Sequence, residues 1–152
     1  MGTLKVQIYQ NMPVIGALEL CNLPELTIQN LTMRVDTGAT TSSLHVDDIE
    51  EFEKDGETWV SFNIHPDIHD VNEIVRREAK VAAVRKIKSS TATRERRYLI
   101  ETLLEIAGQS WKIQLSLTDR SEMTYLMLLG REAMSGRLVV NPGEEYLLNL
   151  NG

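Results

Sequence analysis

The sequence has almost no cysteine: Cys21 stands alone among 152 residues, so no internal disulfide can close and no Cys-Cys metal site can form. A reducing compartment is compatible with that usage. It also lacks any apolar run approaching the ~20 residues that a membrane-crossing helix needs. Met1 to Gln10 do not show the basic-then-apolar order of a secretory leader, and the expectation is a soluble, cytoplasmic protein with no membrane partner. Net positive charge is missing as well. The balance is −6, opposite to the basic face that tracks a phosphate backbone, so nucleic acid is not expected as a partner.

Several chemistries lack their residues. There is no Gly-x-x-x-x-Gly-Lys loop to cradle nucleotide phosphates, no His-Glu-x-x-His helix to hold zinc and no Gly-x-Ser-x-Gly elbow for a serine nucleophile. The nearest approach to a metal pair is His65-x-x-x-His69, with Asp67 and Asp70 nearby. Pro66 disfavours the helix that would put both imidazoles on one face, and a zinc site normally takes at least three protein ligands. No metal and no other cofactor is expected.

Four prolines, nine glycines, 25% charged and 42% apolar residues are ordinary globular usage. A chain of this length fits one domain, residues 1–152, which would bury roughly 70% of its unfolded surface. Cys21 reads as a small core or boundary side chain.

What is present is a series of short strands separated by turn residues. Leu4, Val6 and Ile8 alternate with polar residues until Pro13 breaks the pattern, and Ile15 to Leu26 reads as a strand and a turn. Val46 to Glu53 and Glu57 to Ile64 flank Lys54-Asp55-Gly56, a strong hairpin signal. Asp67 to Glu78 is charged and weakly patterned, and is expected as a surface insertion or a short helix. A second hairpin pairs Ala79 to Lys88 with Tyr98 to Ile106 around a small polar tip. Ala107-Gly108-Gln109 is a turn, and Ile113, Leu115 and Leu117 alternate with polar residues in the clearest strand of the chain. Gly136 to Gly143 is expected as a strand and a turn, Tyr146 to Leu150 as a last short strand, and Glu132 to Ser135 as a short helix. The expected class is all-β: a closed or partly closed barrel with one short C-terminal helix.

Chemistry enters at Leu31 to Ala39. Leu31, Met33 and Val35 alternate with Thr32, Arg34 and Asp36, the pattern of a strand with one buried face. The strand stops at Asp36-Thr37-Gly38, where glycine lets the chain turn sharply and another backbone come near. The plain alternative is an exposed aspartate at a strand-to-turn junction. A second segment, Tyr125 to Arg131, is an apolar run ending in Gly130-Arg131.

Asp36-Thr37-Gly38-Ala39 after an apolar strand, followed by Leu128-Leu129-Gly130-Arg131, resembles the retropepsins, the single-domain aspartic proteases. The likeness extends to a bacterial retropepsin-like family catalogued as ATP-dependent zinc proteases, through Ile15-Gly16-x-x-Glu19, Leu23-Pro24-Glu25-Leu26, Thr41 to His45, Arg85-x-Ile87-Lys88-Ser89-Ser90, Leu117 to Met123 and Leu128 to Met134. Members of that family often accompany ATP-grasp ligases that add glutamate to proteins.

The resemblance implies catalytic roles for Asp36, Thr37 and Gly38, and substrate contacts from Ala39, Lys88, Ser89, Ser90, Arg94 and Arg131. It further implies a homodimer, since one Asp-Thr-Gly is half of an aspartic site. The hairpin around Lys88 to Thr93 would be its flap, a peptide or protein its substrate and an ATP-grasp ligase a partner. Thr40 departs from the pattern, because retropepsins proper carry an acid there that pairs with the Arg of Gly-Arg. Lys88, Arg94, Arg96 and Arg97 make the hairpin more basic than the whole. Two readings stay open, solvated hairpin ends and a surface that attracts acidic, glutamate-rich peptides. A peptide-binding or ligase-binding module without turnover, and a zinc-dependent peptidase, are the other functions to weigh.

Overall fold

The computed structural model describes residues 6–66, 73–88, 94–119 and 124–148, with the backbone alone at 87, 88, 94 and 95. Its strands are β1 (Ile8–Tyr9), β2 (Met12–Ile15), β3 (Leu18–Leu23), β4 (Ile28–Val35), β5 (Ser42–His45), β6 (Asp47–Lys54), β7 (Glu57–Ile64), β8 (Val75–Lys88), β9 (Arg94–Ile106), β10 (Gln109–Thr118), β11 (Met127–Leu129) and β12 (Val139–Val140). A 3-10 turn, Pro24–Leu26, and a short helix, α1 (Arg131–Met134), are the helical elements among the described residues.

Six strands close on themselves in the order β10-β5-β11-β4-β3-β9, with β9 returning to β10. Closure leaves no open edge within the ring. The β9–β10 seam is the longest, running from Ile106 opposite Gln109 to Tyr98 opposite Leu117. Strands β8, β7 and β6 extend the sheet outward from β9, and β1, β2 and β12 form a separate three-stranded sheet.

Alternation decides which side chains fill the ring. On β4, Leu31 and Met33 are buried while Arg34 is exposed; on β10, Trp111, Ile113, Leu115 and Leu117 are buried while Lys112 and Gln114 are exposed. These residues join Leu44, Leu104, Met127 and Leu129 in one core. Two-residue turns at Asp55-Gly56 and Ala107-Gly108 have positive φ at both positions, the geometry whose twist matches paired strands.

Three local expectations are corrected. Pro13 does not end a strand but lies within β2, opposite Ile8, where Val14 supplies the N–H to the Gln7 carbonyl at 2.8 Å. Val75 to Glu78, expected in an insertion or helix, are the start of β8: their charged side chains belong to a half-exposed extension, where Arg76 bonds Ser61, Asn63 and Asp48. Residues 67–72 lie outside the described residues.

Tyr146 to Leu148 are not a strand. The 141–148 segment instead lies along the 15–19 segment, through bonds from Asn141 N to Ile15 O, Ala17 N to Glu144 O and Tyr146 N to Leu18 O. Glu19 is wholly buried beneath it, and its carboxyl oxygens accept from Gly16 N at 2.7 Å, Leu147 N at 2.8 Å and Leu148 N at 3.1 Å. A Cβ on Gly16 would stand 2.5 Å from the Glu144 carbonyl oxygen, so glycine is needed for the close approach. No helix among the described residues is long and apolar enough to cross a membrane.

Candidate active site

Asp36 is the first residue past β4 and is fixed from both sides. Strand β11 lies parallel to β4, with Leu129 opposite Val35, and the Asp36 N–H donates to the Leu129 carbonyl at 2.9 Å. The chain then turns within three residues: Ala39 N donates to the Asp36 carbonyl at 3.2 Å, and Gly38 N to Asp36 Oδ1 at 3.0 Å. A backbone N–H on one carboxyl oxygen sets the orientation of the group without covering the other oxygen.

The Gly130-Arg131 segment supports this turn. Gly130 is buried, and its N–H donates to the Ser42 hydroxyl at 3.0 Å. A Cβ there would lie 2.7 Å from the Thr41 carbonyl carbon, so only glycine lets β11 pass this close to the start of β5. Arg131 N donates to the Ala39 carbonyl at 2.8 Å and Glu132 N to the Thr40 carbonyl at 3.0 Å. The Arg131 guanidinium closes the loop, with Nη1 donating to the Thr37 carbonyl at 2.9 Å and Nη2 to Thr40 Oγ1 at 3.1 Å. Where retropepsins proper place an acid, the Thr40 hydroxyl accepts the arginine.

A cavity of ≈360 Å³ opens beside Asp36. Ser43 on β5 and Ser116 and Thr118 on β10 line it, together with Arg85 on β8 and Arg97 on β9. Among the described residues, Asp36 is the one carboxyl group in its lining. Ala39 reaches the cavity, whereas Thr37 and Gly38 on the loop and Arg131 at the start of α1 lie outside its lining, exposed to solvent.

Of the remaining expected site residues, Lys88 ends β8 and Arg94 begins β9. Lys88 and Arg94 are directly opposite in register; their side chains, and the whole of Ser89 and Ser90, lie outside the described residues. Arg85, Ser43, Ser116 and Thr118 were not expected as site residues, and Arg97 was expected only as part of a basic hairpin surface. Register would have found the arginines, because a hairpin that pairs 88 with 94 puts 85 opposite 97.

Two other reactive groups are accounted for. Cys21 is buried against Met127, Sγ to Sδ 3.7 Å, and burial pushes its thiol up to about 12, which removes it as a nucleophile. His65 Nε2 lies 2.7 Å from Asp47 Oδ2, and no group of three His, Cys, Asp or Glu able to hold a metal occurs among the described residues. His69, Asp67 and Asp70 lie outside them.

A family model described as "Retropepsin-like aspartic endopeptidase RimB" matches residues 14–149, which include the Asp36 turn and the Gly130-Arg131 segment. The chain belongs to the RimB-like family. A protein from Shewanella pealeana named probable alpha-L-glutamate ligase is 44% identical over 142 residues, 93% of this chain and 31% of the relative. One of the same name from Parasynechococcus marenigrum is 43% identical over 135 residues, 89% of this chain and 29% of the relative. The chain therefore spans about three-tenths of the length of these curated relatives. A crystal structure of a Legionella pneumophila protein with unknown function has the same fold, with a TM-score of 0.73 at 25% identity, covering 88% of this chain and 95% of that one. The closed barrel, the Asp36 turn and the Gly130-Arg131 support are thus parts of a RimB-like, retropepsin-like domain.

Proposed function

We propose that this chain is one half of an aspartic-type peptidase and that two copies complete the active site. The observation that carries the reading is Asp36 itself: a carboxyl group fixed on a closed barrel, at the edge of a cavity whose described lining holds no second one. Aspartic hydrolysis needs two carboxyl groups sharing a proton, since like charges in contact cannot both ionise. A two-fold axis between copies of Asp36 supplies the second group.

In the dimer one Asp36 takes a proton from a bound water, and the resulting hydroxide equivalent attacks the peptide carbonyl carbon. The protonated Asp36 of the other subunit hydrogen-bonds the carbonyl oxygen, and the leaving nitrogen takes up a proton as the C–N bond breaks. Gly38 holds the carboxyl orientation through its N–H, and Thr37 stabilises the turn at the axis. The β8–β9 hairpin closes over an extended peptide, which pairs by main-chain bonds. Acidic or glutamate-tailed peptides are the proposed substrates, supported by the basic hairpin.

Association with a glutamate ligase is part of the proposal, because relatives that contain this domain in a longer chain carry that name. The same fact favours a second reading, a non-catalytic module that presents peptides to a ligase. Comparing wild type with Asp36→Asn on acidic peptides across pH, with a chelator in parallel, separates them. The peptidase reading expects cutting by wild type and a loss of at least about a hundredfold in Asp36→Asn, with no effect of the chelator. No cutting by either form supports the module, and chelator-sensitive cutting that survives the substitution supports zinc chemistry.

A further inference from the structure

We propose that the cavity beside Asp36 is a carboxylate-specific side-chain subsite. Arg85 and Arg97 grip one Glu or Asp side chain of the bound peptide, and the Ser116 hydroxyl serves as a third donor. This rests on the peptidase reading for its place next to the scissile bond, but its binding chemistry stands on separate observations.

The first is register. Arg85 and Arg97 are directly opposite each other on β8 and β9, and both line the cavity. Like charges directly opposite in an antiparallel pair destabilise the sheet. The neighbouring pair, Lys86 and Arg96, is also basic, and Arg96 has Glu51 at 3.6 Å. Arg85 has no hydrogen-bond or ion-pair partner among the described residues. A guanidinium pair converging on a cavity in a chain of net charge −6 is a site for an anion, and the planar fork of arginine matches a carboxylate better than any other side chain.

The second is an orphaned hydroxyl. Along β10, Leu115 and Leu117 enter the core, which turns Ser116 and Thr118 to the opposite face, toward the cavity. Ser116 is 7% exposed, and its Oγ is buried without a hydrogen-bond partner among the described residues. Leaving such a group unpaired is unfavourable, a penalty that a bound oxygen acceptor removes. Ser43 is its parallel-register neighbour on β5 and lines the same cavity. Hydroxyls and guanidinia around one cavity suit an anionic side chain, whereas an apolar side chain would leave Arg85 and the Ser116 hydroxyl unsatisfied.

The test uses the full chain carrying Asp36→Asn, so that bound peptides persist. Fluorescently labelled acidic peptides in which each Glu in turn is replaced by Gln are titrated by anisotropy. One position is expected to favour Glu by about tenfold or more, and adding Arg85→Gln or Arg97→Gln should bring that position to near parity. Ser116→Ala should weaken binding at the same position and at no other. Arg85→Gln should not melt earlier than its parent, because it removes a like-charge pair; a purely structural role would lower the melting temperature. Equal affinity for Glu and Gln at every position, discrimination that survives both arginine substitutions, or no binding at all would overturn the subsite. If discrimination is found while the wild-type chain cuts none of these peptides, the subsite stands and the peptidase reading falls.

Discussion

Arg131 offers a sharp test of how the loop carrying Asp36 is held. Arg131→Ala removes two charge-assisted bonds, to the Thr37 carbonyl and to Thr40 Oγ1, but leaves the backbone bonds from positions 131 and 132 to Ala39 and Thr40. The loop therefore stays tethered to α1 and loses its outer clamp. Arg131 is exposed, so solvent takes back part of each bond, and the pair together should be worth about 1–2 kcal/mol. For a chain of this length that is a fall of roughly 2–8 °C in melting temperature.

Catalysis should suffer more than stability. The Thr37 carbonyl and the turn that presents Gly38 N to Asp36 lose their fixed position, and misplacement of a reacting group on that scale costs about a hundredfold. The loss should appear in kcat with KM little changed. Arg131→Lys should fall between, because one ammonium lacks the planar fork that reaches both acceptors. Thermal melts and steady-state hydrolysis of one acidic peptide decide it. A salt-sensitive rise in KM with kcat intact would instead make Arg131 a substrate-binding residue, and unchanged kinetics in Arg131→Ala would refute the clamp.

Two further outcomes follow from the buried groups. Glu19→Gln replaces one of two acceptor oxygens with a donor and strands at least one of the N–H groups of Gly16, Leu147 and Leu148; denaturant unfolding should show a loss of about 3 kcal/mol, and proteases should cut earlier in the 141–148 segment. Cys21 should resist thiol reagents at pH 8 until the protein unfolds. Burial pushes its thiol up from the ordinary 9.0 to about 12, so across that interval the folded state holds the extra proton and stability falls as pH rises, by about 1.4 kcal/mol per unit. Cys21→Ser, with a hydroxyl that does not titrate there, should flatten this part of the stability curve.

Much of the barrel was legible because period and turn chemistry agree: the large buried apolar side chains of β7 and β10 recur at every second position, as do Leu31 and Met33 on β4, and Asp55-Gly56 and Ala107-Gly108 turn where glycine permits. The parts that were not legible depend on partners distant in sequence. Val75 to Glu78 look like a charged loop until Asp48, Ser61 and Asn63 are seen beside Arg76. Leu147 and Leu148 bond the buried Glu19 side chain rather than a neighbouring strand, and no periodicity records that. At the site, Asp36 and Gly130-Arg131 announce themselves as local motifs. Arg85, Arg97 and Ser116 acquire meaning from cross-strand register and from the face that β10 turns outward, which no single stretch of sequence carries.

Subunit mixing tests the shared active site most directly. At constant total concentration, wild-type chain is progressively replaced by Asp36→Asn, subunits are allowed to exchange, and peptide hydrolysis is followed. If each subunit contributes one Asp36 to a common centre, activity falls as the square of the wild-type fraction, to about a quarter at equal parts. A linear fall, to about half at equal parts, would mean that each chain hydrolyses peptides alone and would contradict the account.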